Sequence, residues 1–450
     1  MTHTLSVKIN GDSLGELSFD AALNLFDFQY SKAWLNRPDR FPLSEHIPLE
    51  PISGSNQAYQ SAHIKQFFDN LLPEGQVLDD VTSMHQISKA NLIAILGVLG
   101  SETSGALTIE GAAKQESLRK LPLTEISERI RSRPQQSFSI WDGKVRLSIA
   151  GFQDKIAALR LDNQWFLTEG SRYASTHILK PEPVSKVMRG MTSNEFFCMR
   201  LAKAIGLDVA DVELIKVPEP VLVIARFDRH LTKDRVDRLH IIDGCQALGL
   251  PVSYKYERNF GLGKDVAQIR EGASLPKLFE LIERSTARPV LQRLVLLNWA
   301  VFQVLIGNID AHAKNLSFRC SSTGLSLAPA YDLVSGVSFA NDDLDKSYAM
   351  AIGDAFLEAD LSPYEWASFA HACKLPFSVV SRALGQLSLK ILKSIDGVAS
   401  EVVEQGANEE IVQSIVGIVK NECQRQLEMA QQVKDVSVEL FEEGESLALR

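Results

Sequence analysis

Cysteine is scarce in this chain, and the few cysteines form no recognisable pair. They number five, are widely scattered, and none stands in a C-x-x-C spacing. This pattern gives no support for a zinc site, a redox pair or a disulfide framework. We therefore expect reduced thiols, as in a cytoplasmic protein.

The chain also lacks segments typical of membrane targeting or insertion. Residues 1–4 show neither the basic start nor the apolar run of a signal peptide. The most apolar stretch, 294–306, is too short to span a bilayer and contains Asn298 and Gln303. We expect a cytoplasmic location, no membrane partner, and a buried helix over 294–306.

An excess of positive charge is missing as well. The net charge is −9 and the pI is about 5.6, which argues against general coating of nucleic acid. A local basic face would not show in this average, so any DNA contact should be local or shared. With 450 residues, of which 45% are hydrophobic, the chain is long enough for two or three domains with substantial cores.

The common glycine motifs of nucleotide-binding proteins are absent too. There is no G-x-G-x-x-G loop, and the GLGK stretch at 261–264 lacks the upstream glycine and the following Ser or Thr of a Walker A loop. We interpret it as an ordinary turn. Gly97, Gly100 and Gly105 likewise fit turns better than a phosphate cradle.

What the chain does contain is an acid, an amide five residues later and a second acid farther on. Asp310 and Asn315 meet the spacing D-x-x-x-x-N, and Asp332 follows. In protein kinases the first aspartate takes the proton of the substrate hydroxyl, while the asparagine and the later aspartate hold magnesium. The order therefore indicates a metal-dependent phosphoryl-transfer site.

Three regions are predicted along the chain: a β-rich N-terminal subdomain over 1–135, an ATP-binding small lobe over 136–249 and a helical catalytic large lobe over 250–450. In the first region, residues 7–12 and 14–19 are typical of a hairpin, and apolar spacing predicts helices over 63–71 and 91–99. The charged segment 114–133 is interpreted as its boundary.

The second region combines short strands with one helix. Strands are predicted over 145–150, 155–161, 176–181 and 221–227, and a helix capped by Ser193 over 193–205. Lys180 would lie on a strand and Glu195 early on the next helix, close enough to form an ion pair. Taken singly, Glu195 also fits an acid favoured by the helix dipole, and Lys180 an ordinary surface lysine.

The third region is dominated by helical periodicity. Helices are predicted over 276–284, 290–306, 378–395 and 409–433, and a hairpin over 316–319 and 325–328. Ser274 and Pro276 supply a cap and a first-turn proline for the earliest helix.

Several segments occur in the order seen in one family. They are SIAGFQDK at 148–155, THILKP at 176–181, NEFFC at 194–198, ARFDR at 225–229, CQALGL at 245–250, GNIDAHAKN at 307–315 and YD at 331–332. The chain resembles the HipA-type serine/threonine kinase toxins over nearly its whole length. The resemblance implies an α+β, two-lobed protein-kinase-like (phosphoinositide-kinase-like) fold with a β-rich N-terminal subdomain and a mainly helical C-terminal lobe.

The resemblance also implies the cofactors, ATP and Mg²⁺, and a set of site residues. Asp310 would be the catalytic base, Asn315 and Asp332 the magnesium ligands, and Lys180 would face the phosphates. Further ATP contacts are implied at Ala150, Gly151, Phe152, Gln153, Asp154 and Lys155 over the phosphates, at Ala225, Arg226 and Phe227 around the adenine, and at His312, Ala313, Lys314 and Tyr331. Ala225 stands where an acidic residue can occur in the family, which leaves adenine recognition to the main chain.

Ser148 lies where the resemblance places an autophosphorylated serine. A phosphate there would add about −1.5 to −2 charge to a loop that approaches ATP, and we expect loop ejection and loss of nucleotide binding. The alternative is a half-buried strand serine.

A partner is implied as well: a HipB-like helix-turn-helix antitoxin that binds operator DNA together with the kinase. Lys374 and Arg382 could contact phosphates in that complex, although both also fit a solvated face. The implied substrate is a protein of translation, with an aminoacyl-tRNA synthetase as the leading candidate.

The pattern departs from that of common protein kinases, so their activation-loop logic does not carry over. GNID replaces H-R-D, YDL replaces D-F-G, and no A-P-E follows.

Two rival functions stay open. A small-molecule kinase could use the same three side chains, because the chemistry does not reveal the acceptor, and a non-catalytic corepressor could keep the fold alone.

Overall fold

The computed structural model describes residues 2–50, 56–110, 116–133, 135, 137–145, 153–170, 172–261, 263, 265–339 and 345–441. The chain divides into two compact units. The first unit comprises residues 1–192, 210–255 and 317–329, and the second comprises 193–209, 256–316 and 330–450. The region boundaries at 135 and 249 stay a prediction.

The strands and helices are defined as follows. The strands are β1 (Thr2–Ile9), β2 (Asp12–Asp20), β3 (Leu25–Tyr30), β4 (Leu107–Glu110), β5 (Ser117–Leu121), β6 (Ile140–Trp141), β7 (Lys144–Val145), β8 (Ile156–Leu161), β9 (Gln164–Glu169), β10 (His177–Pro181), β11 (Val212–Lys216), β12 (Pro220–Ala225), β13 (Arg229–Leu231), β14 (Val236–Arg238), β15 (Ile241–Asp243), β16 (Ser317–Ser321) and β17 (Gly324–Leu327). The helices are α1 (Lys32–Leu35), α2 (Gln57–Asp69), α3 (Gln76–His85), α4 (Leu92–Leu99), α5 (Leu123–Arg131), α6 (Met191–Ala204), α7 (Gly244–Leu248), α8 (Leu275–Ser285), α9 (Pro289–Leu305), α10 (Pro363–Ala372), α11 (Phe377–Glu404) and α12 (Glu409–Val433).

The first unit opens with an antiparallel sheet in the order β3-β2-β1-β4. β1 and β2 form the predicted hairpin, with Thr2 opposite Asp20. The alternate residues Leu5, Val7 and Ile9 of β1 are buried, because successive side chains of a strand point to opposite faces of the sheet. This alternation is the signal that the sequence carries.

A second sheet of the first unit has the order β11-β12-β10-β8-β9-β5. Its core includes Trp141, Ile156, Trp165, Leu179 and Val221 together with Ile126 and Ile130 of α5. The charged segment 114–133, interpreted from sequence as a boundary, thus contributes an edge strand and a helix that packs on this core. Strand β10 is internal to the sheet, between β12 and β8.

A third sheet of the first unit, β15-β16-β17, contains the hairpin predicted over 316–319 and 325–328. The other predicted strands of this unit are found as β8, β10 and β12, whereas residues 146–150 of the strand predicted over 145–150 lie outside the described residues.

The second unit is mainly helical. α8, α9 and α12 match the helices predicted from periodicity, and α12 has the predicted bounds. α11 also begins where predicted, to within one residue, but it continues to Glu404, past the predicted end at 395. The stretch 294–306 lies mostly in α9, whose residues Leu296 and Leu297 and nearly all of its last two turns are buried. Among the described helices, none combines the length and the apolar character needed to cross a membrane.

The predicted start of the helix over 193–205 is wrong. α6 begins at Met191, so Ser193 lies inside the first turn and does not cap the helix. The Ser193 hydroxyl instead accepts a hydrogen bond from the backbone N–H of Asn408, at 2.9 Å. The serine is therefore used to fasten the start of α12, a contact between distant parts of the chain that a local pattern does not reveal.

Candidate active site

The turn after α9 is shaped by a glycine. Gly307 has φ +63, and a Cβ at this position would lie 2.3 Å from Val337 Cγ2. Both facts require glycine, since other residues are disfavoured at positive φ and lack the space. The backbone carbonyl of Gly307 also accepts a hydrogen bond from the N–H of Val337, at 3.1 Å, so the turn and the segment after Asp332 are held together.

Asn308 fixes the next step of the turn. Its side-chain nitrogen donates to Gln303 Oε1 at 2.8 Å, and its side-chain oxygen accepts from the Asp310 N–H at 3.0 Å. Asn308 is buried, and a buried amide that is hydrogen-bonded in this way holds the backbone in one conformation. The backbone of Asp310 is thereby placed by the end of α9.

The Asp310 side chain is 60% exposed. Its Oδ1 accepts a hydrogen bond from the Tyr256 hydroxyl at 2.6 Å, and His312 Nε2 lies 3.9 Å from the same oxygen. The rings of Tyr256 and His312 pack edge to face, with centroids 5.0 Å apart. An exposed carboxylate held in place by its neighbours is suited to accept a proton from a docking hydroxyl.

Asn315 closes the turn back onto Asp310. Its Nδ2 donates to the Asp310 carbonyl at 2.8 Å, which explains the five-residue spacing between the two. Because the side-chain nitrogen of Asn315 makes this bond, its side-chain oxygen Oδ1 points away from the Asp310 carbonyl. Amide and carboxylate oxygens are the ligands that Mg²⁺ accepts, so the donor chemistry of Asn315 and Asp332 fits this ion.

The segment carrying Asp332 is fastened to the same turn. The Tyr331 hydroxyl donates to the Lys314 carbonyl at 2.7 Å, and Asp332 itself has φ +57. Non-glycine residues are uncommon at positive φ, and those at functional sites are often held there by surrounding contacts. The second unit thus brings the turn with Asp310 and Asn315 next to the segment with Asp332.

Asn194 of α6 secures the following residues. Its Nδ2 donates to the Ser335 carbonyl at 3.0 Å and to Ser338 Oγ at 2.9 Å, and its Oδ1 accepts from the Ser335 N–H at 2.8 Å. The sequence shows Asn194 as part of the NEFFC segment, but its role depends on a contact over 141 positions. Sequence reasoning missed it for that reason.

In the first unit, Lys180 and Lys155 are both buried, each 6% exposed. Lys180 lies opposite Leu222 on the internal strand β10, so it is not an ordinary surface lysine. Glu195, in the second unit, is fully buried and lies beyond the first turn of α6, so the helix-dipole interpretation of this acid is wrong. The ion pair between Lys180 and Glu195 stays a prediction.

The loop before β8 is described only in part. Ser148, Ala150, Gly151 and Phe152 lie outside the described residues. Asp154 lies with one carboxylate oxygen 3.5 Å from Arg133 Nη1. Burial raises the pKa of Asp154, and the charge of Arg133 partly opposes this change.

Arg226 is committed to a buried charge cluster, formed by Glu102, Arg226, Asp228, Arg229 and Arg238. Arg226 contacts Glu102 at 2.9 Å and Asp228 at 2.7 Å. Its N–H donates to the Thr176 carbonyl and that of Ala225 to the Asp211 carbonyl. The Arg226 side chain thus has a structural role that the sequence analysis missed. The predicted adenine contacts of Ala225, Arg226 and Phe227 stay a prediction.

Comparisons with known proteins agree with this architecture. A family model described as the HipA-like C-terminal domain matches residues 147–400, more than half of the chain, and the HipA N-terminal domain matches residues 5–110. The chain belongs to the HipA family. The match shows the family independently of the site geometry.

Individual HipA relatives extend the agreement to nearly the full length. The serine/threonine-protein kinase toxin HipA of Shewanella oneidensis is 37% identical, over 97% of this chain and 99% of that protein. A putative kinase of Sinorhizobium fredii, Y4mE, is 34% identical over 85% of this chain and 89% of that protein. A solved complex of Shewanella oneidensis HipA, HipB and operator DNA superposes with a TM-score of 0.85 at 36% identity, covering 96% of this chain and 100% of that one.

The HipA comparison confirms the predicted fold class and enzyme class. Sheets occupy the N-terminal part and helices the C-terminal part of an α+β, kinase-type fold, and the family is that of protein serine/threonine kinases. The site residues carried over from the family stay predictions at the level of single side chains. Lys374 and Arg382 are both exposed. Exposure agrees both with a DNA contact and with a solvated face, so it does not distinguish between them.

Proposed function

We propose that this HipA-family chain transfers the γ-phosphoryl group of ATP to a serine or threonine hydroxyl of a protein. The observation that carries the proposal is the closed turn in which Asn315 bonds the Asp310 carbonyl while the Asp310 carboxylate stays exposed. A base, a cation-holding amide and a second carboxylate then come from two segments that are fastened to each other. Phosphoryl transfer needs such positioning more than covalent help.

Asp310 accepts the proton of the attacking hydroxyl, and Asn315 and Asp332 hold Mg²⁺ by their side-chain oxygens. When bound, the ion neutralises charge that develops on the phosphates. His312, Ala313, Lys314 and Tyr331 line the nucleotide side of the turn. Lys314 is buried and its carbonyl accepts the Tyr331 hydroxyl bond, so its backbone position is fixed.

Lys180 supplies positive charge to the phosphates, and Gln153, Asp154 and Lys155 lie over them. Both lysines are buried, and the attraction between an ammonium group and a phosphate is stronger in a buried site than in bulk water. Ala150, Gly151 and Phe152 complete the proposed phosphate contacts, on the basis of the family resemblance alone.

Regulation and partners complete the proposal. Phosphorylation of Ser148 switches the enzyme off, and a HipB-like helix-turn-helix antitoxin neutralises the chain in the cytoplasm and carries it to operator DNA. The relative with 36% identity was solved with HipB and its operator DNA, which supports this partnership. The proposed substrate is a component of translation, with an aminoacyl-tRNA synthetase as the leading candidate.

The test combines the purified chain with γ-labelled ATP, Mg²⁺ and a cell extract. We expect label in protein for the parent chain and a loss of about 10²- to 10⁴-fold for Asp310→Asn, because general-base catalysis contributes that much. Asp396→Asn, which removes an exposed carboxylate that pairs with Lys420, is the control and should leave labelling unchanged.

Two results would contradict the proposal. Label that appears in a metabolite and not in protein would indicate a small-molecule kinase. Equal labelling by the parent and Asp310→Asn would show that Asp310 is not the base.

A further inference from the structure

Tyr256, which lies outside the family segments, contacts the proposed base. The Tyr256 hydroxyl donates to Asp310 Oδ1 at 2.6 Å, within the second unit. His312 Nε2 lies farther from the same oxygen, at 3.9 Å. Hydrogen bonds of this length from a hydroxyl to a carboxylate are among the strong ones in proteins.

Both ends of this contact are held by other bonds. The residue after Tyr256, Glu257, is 2% exposed; its N–H donates to the Ala349 carbonyl at 2.9 Å and its carboxylate accepts from the Ala351 N–H at 2.8 Å. Arg270 Nε donates to the other oxygen of Glu257 at 2.6 Å. The backbone beside Tyr256 is therefore fixed.

The tyrosine ring is also supported. It packs edge to face against His312, at an interplanar angle of 86°, and His312 is buried. The Asp310 backbone is fixed separately by Asn308 and Asn315. A hydroxyl held by one rigid segment thus meets a carboxylate held by another, which is an arrangement that orients a side chain before substrate arrives.

We propose that Tyr256 is a positioning residue for Asp310: its hydroxyl holds the carboxylate in the orientation that accepts the proton of the substrate hydroxyl. This inference rests on the proposed function of Asp310. Tyr256 transfers no proton in the reaction and makes no contact with ATP. Its loss should therefore lower kcat and leave the KM for ATP unchanged.

The test compares Tyr256→Phe with the parent chain, with labelled ATP and transfer to protein as the readout. We expect kcat to fall about tenfold, because a hydrogen bond to a charged group is removed while the ring stays. The KM for ATP should change less than about twofold.

Controls separate positioning from damage to the fold. Tyr364→Phe removes the hydroxyl of a tyrosine whose ring stacks on Phe441 and should match the parent. Calorimetric titration with ATP should give one nucleotide per chain for Tyr256→Phe, which excludes a partly unfolded sample as the cause of a low kcat.

The outcomes are distinct. If the parent transfers label and Tyr256→Phe equals it in kcat, Tyr256 does not position the base and only this inference fails. A faster Tyr256→Phe enzyme would show that the hydroxyl obstructs the acceptor site, which also overturns the inference. If the parent itself transfers no label, the proposed function falls and this inference with it.

Discussion

At the scale of single residues, the charges of the buried cluster do not balance. Three guanidinium groups, of Arg226, Arg229 and Arg238, face two carboxylates, Glu102 and Asp228. Burial by itself would raise the pKa of Glu102, but the arginine charges outweigh it and lower that pKa to about 2. Burial and the neighbouring Arg226 lower the pKa of Arg229 to about 10. Removing either acid would increase this excess of positive charge.

We expect Glu102→Gln to destabilise the chain by about 3–5 kcal/mol, the usual cost of leaving a buried charge without its partner. Thermal or urea unfolding measures the change. Asp39→Asn, at an exposed pair with Arg37, is the matched control and should leave the midpoint nearly unchanged. An unfolding midpoint for Glu102→Gln equal to that of the parent would show that the cluster does not depend on this acid.

The same carboxylate predicts a pH dependence. The pKa of Glu102 is about 2 in the folded chain, below its ordinary value of 4.5, so the ionised form favours folding. Its contribution, on the order of 3 kcal/mol, is fully present above about pH 4.5 and is lost as the pH falls toward 2. Urea unfolding at several pH values should show this loss in the parent and a smaller one in Glu102→Gln. An identical dependence of the free energy of unfolding on pH in the two chains would show that Glu102 does not cause it.

At the scale of elements, two glycines predict opposite effects of alanine. Gly307→Ala places a methyl group 2.3 Å from Val337 Cγ2 at φ +63, so we expect a loss of about 1–3 kcal/mol in the free energy of unfolding. Gly385 lies inside α11, and a Cβ there meets no atom within 4 Å. Gly385→Ala should stabilise the chain by about 0.5–1 kcal/mol, as expected in a helix interior. Chemical unfolding measures both changes in the free energy of unfolding. Changes of the same sign for the two variants would contradict this explanation.

The same elements show what the sequence can predict. α9 and α12 can be predicted from the spacing of their apolar residues. The buried side chains of α12 recur along one face of the helix, and those of α9 are concentrated in its second half. Strand β5 escaped prediction because four of its five residues are exposed or half-buried, which leaves no alternation to detect. Within the cluster, Arg226 contacts Glu102, 124 positions away, and Tyr256 contacts Asp310, 54 positions away. A local sequence pattern does not show such pairings.

At the scale of the whole molecule, acidic residues outnumber basic ones, 56 to 47. A chain with net charge −9 is repelled on average by DNA phosphates, so sequence-independent binding by the chain alone should be weak. The operator binding proposed above then requires a partner that supplies the base contacts. Exposed basic residues of this chain could add phosphate contacts only within that complex.

Lys374 and Arg382 are the predicted phosphate contacts, and they can be tested in the proposed complex with a HipB-like antitoxin. If each neutralises one phosphate, Lys374→Ala and Arg382→Ala should weaken binding about equally for operator and unrelated DNA, and each should reduce the slope of log K against log salt by about 1. Lys420→Ala is the control, because its ammonium group already pairs with Asp396 at 2.7 Å. Mobility shifts at several salt concentrations give the slopes. Unchanged slopes for both variants would assign the two side chains to a solvated face, and the antitoxin alone would then account for the electrostatic part of DNA binding.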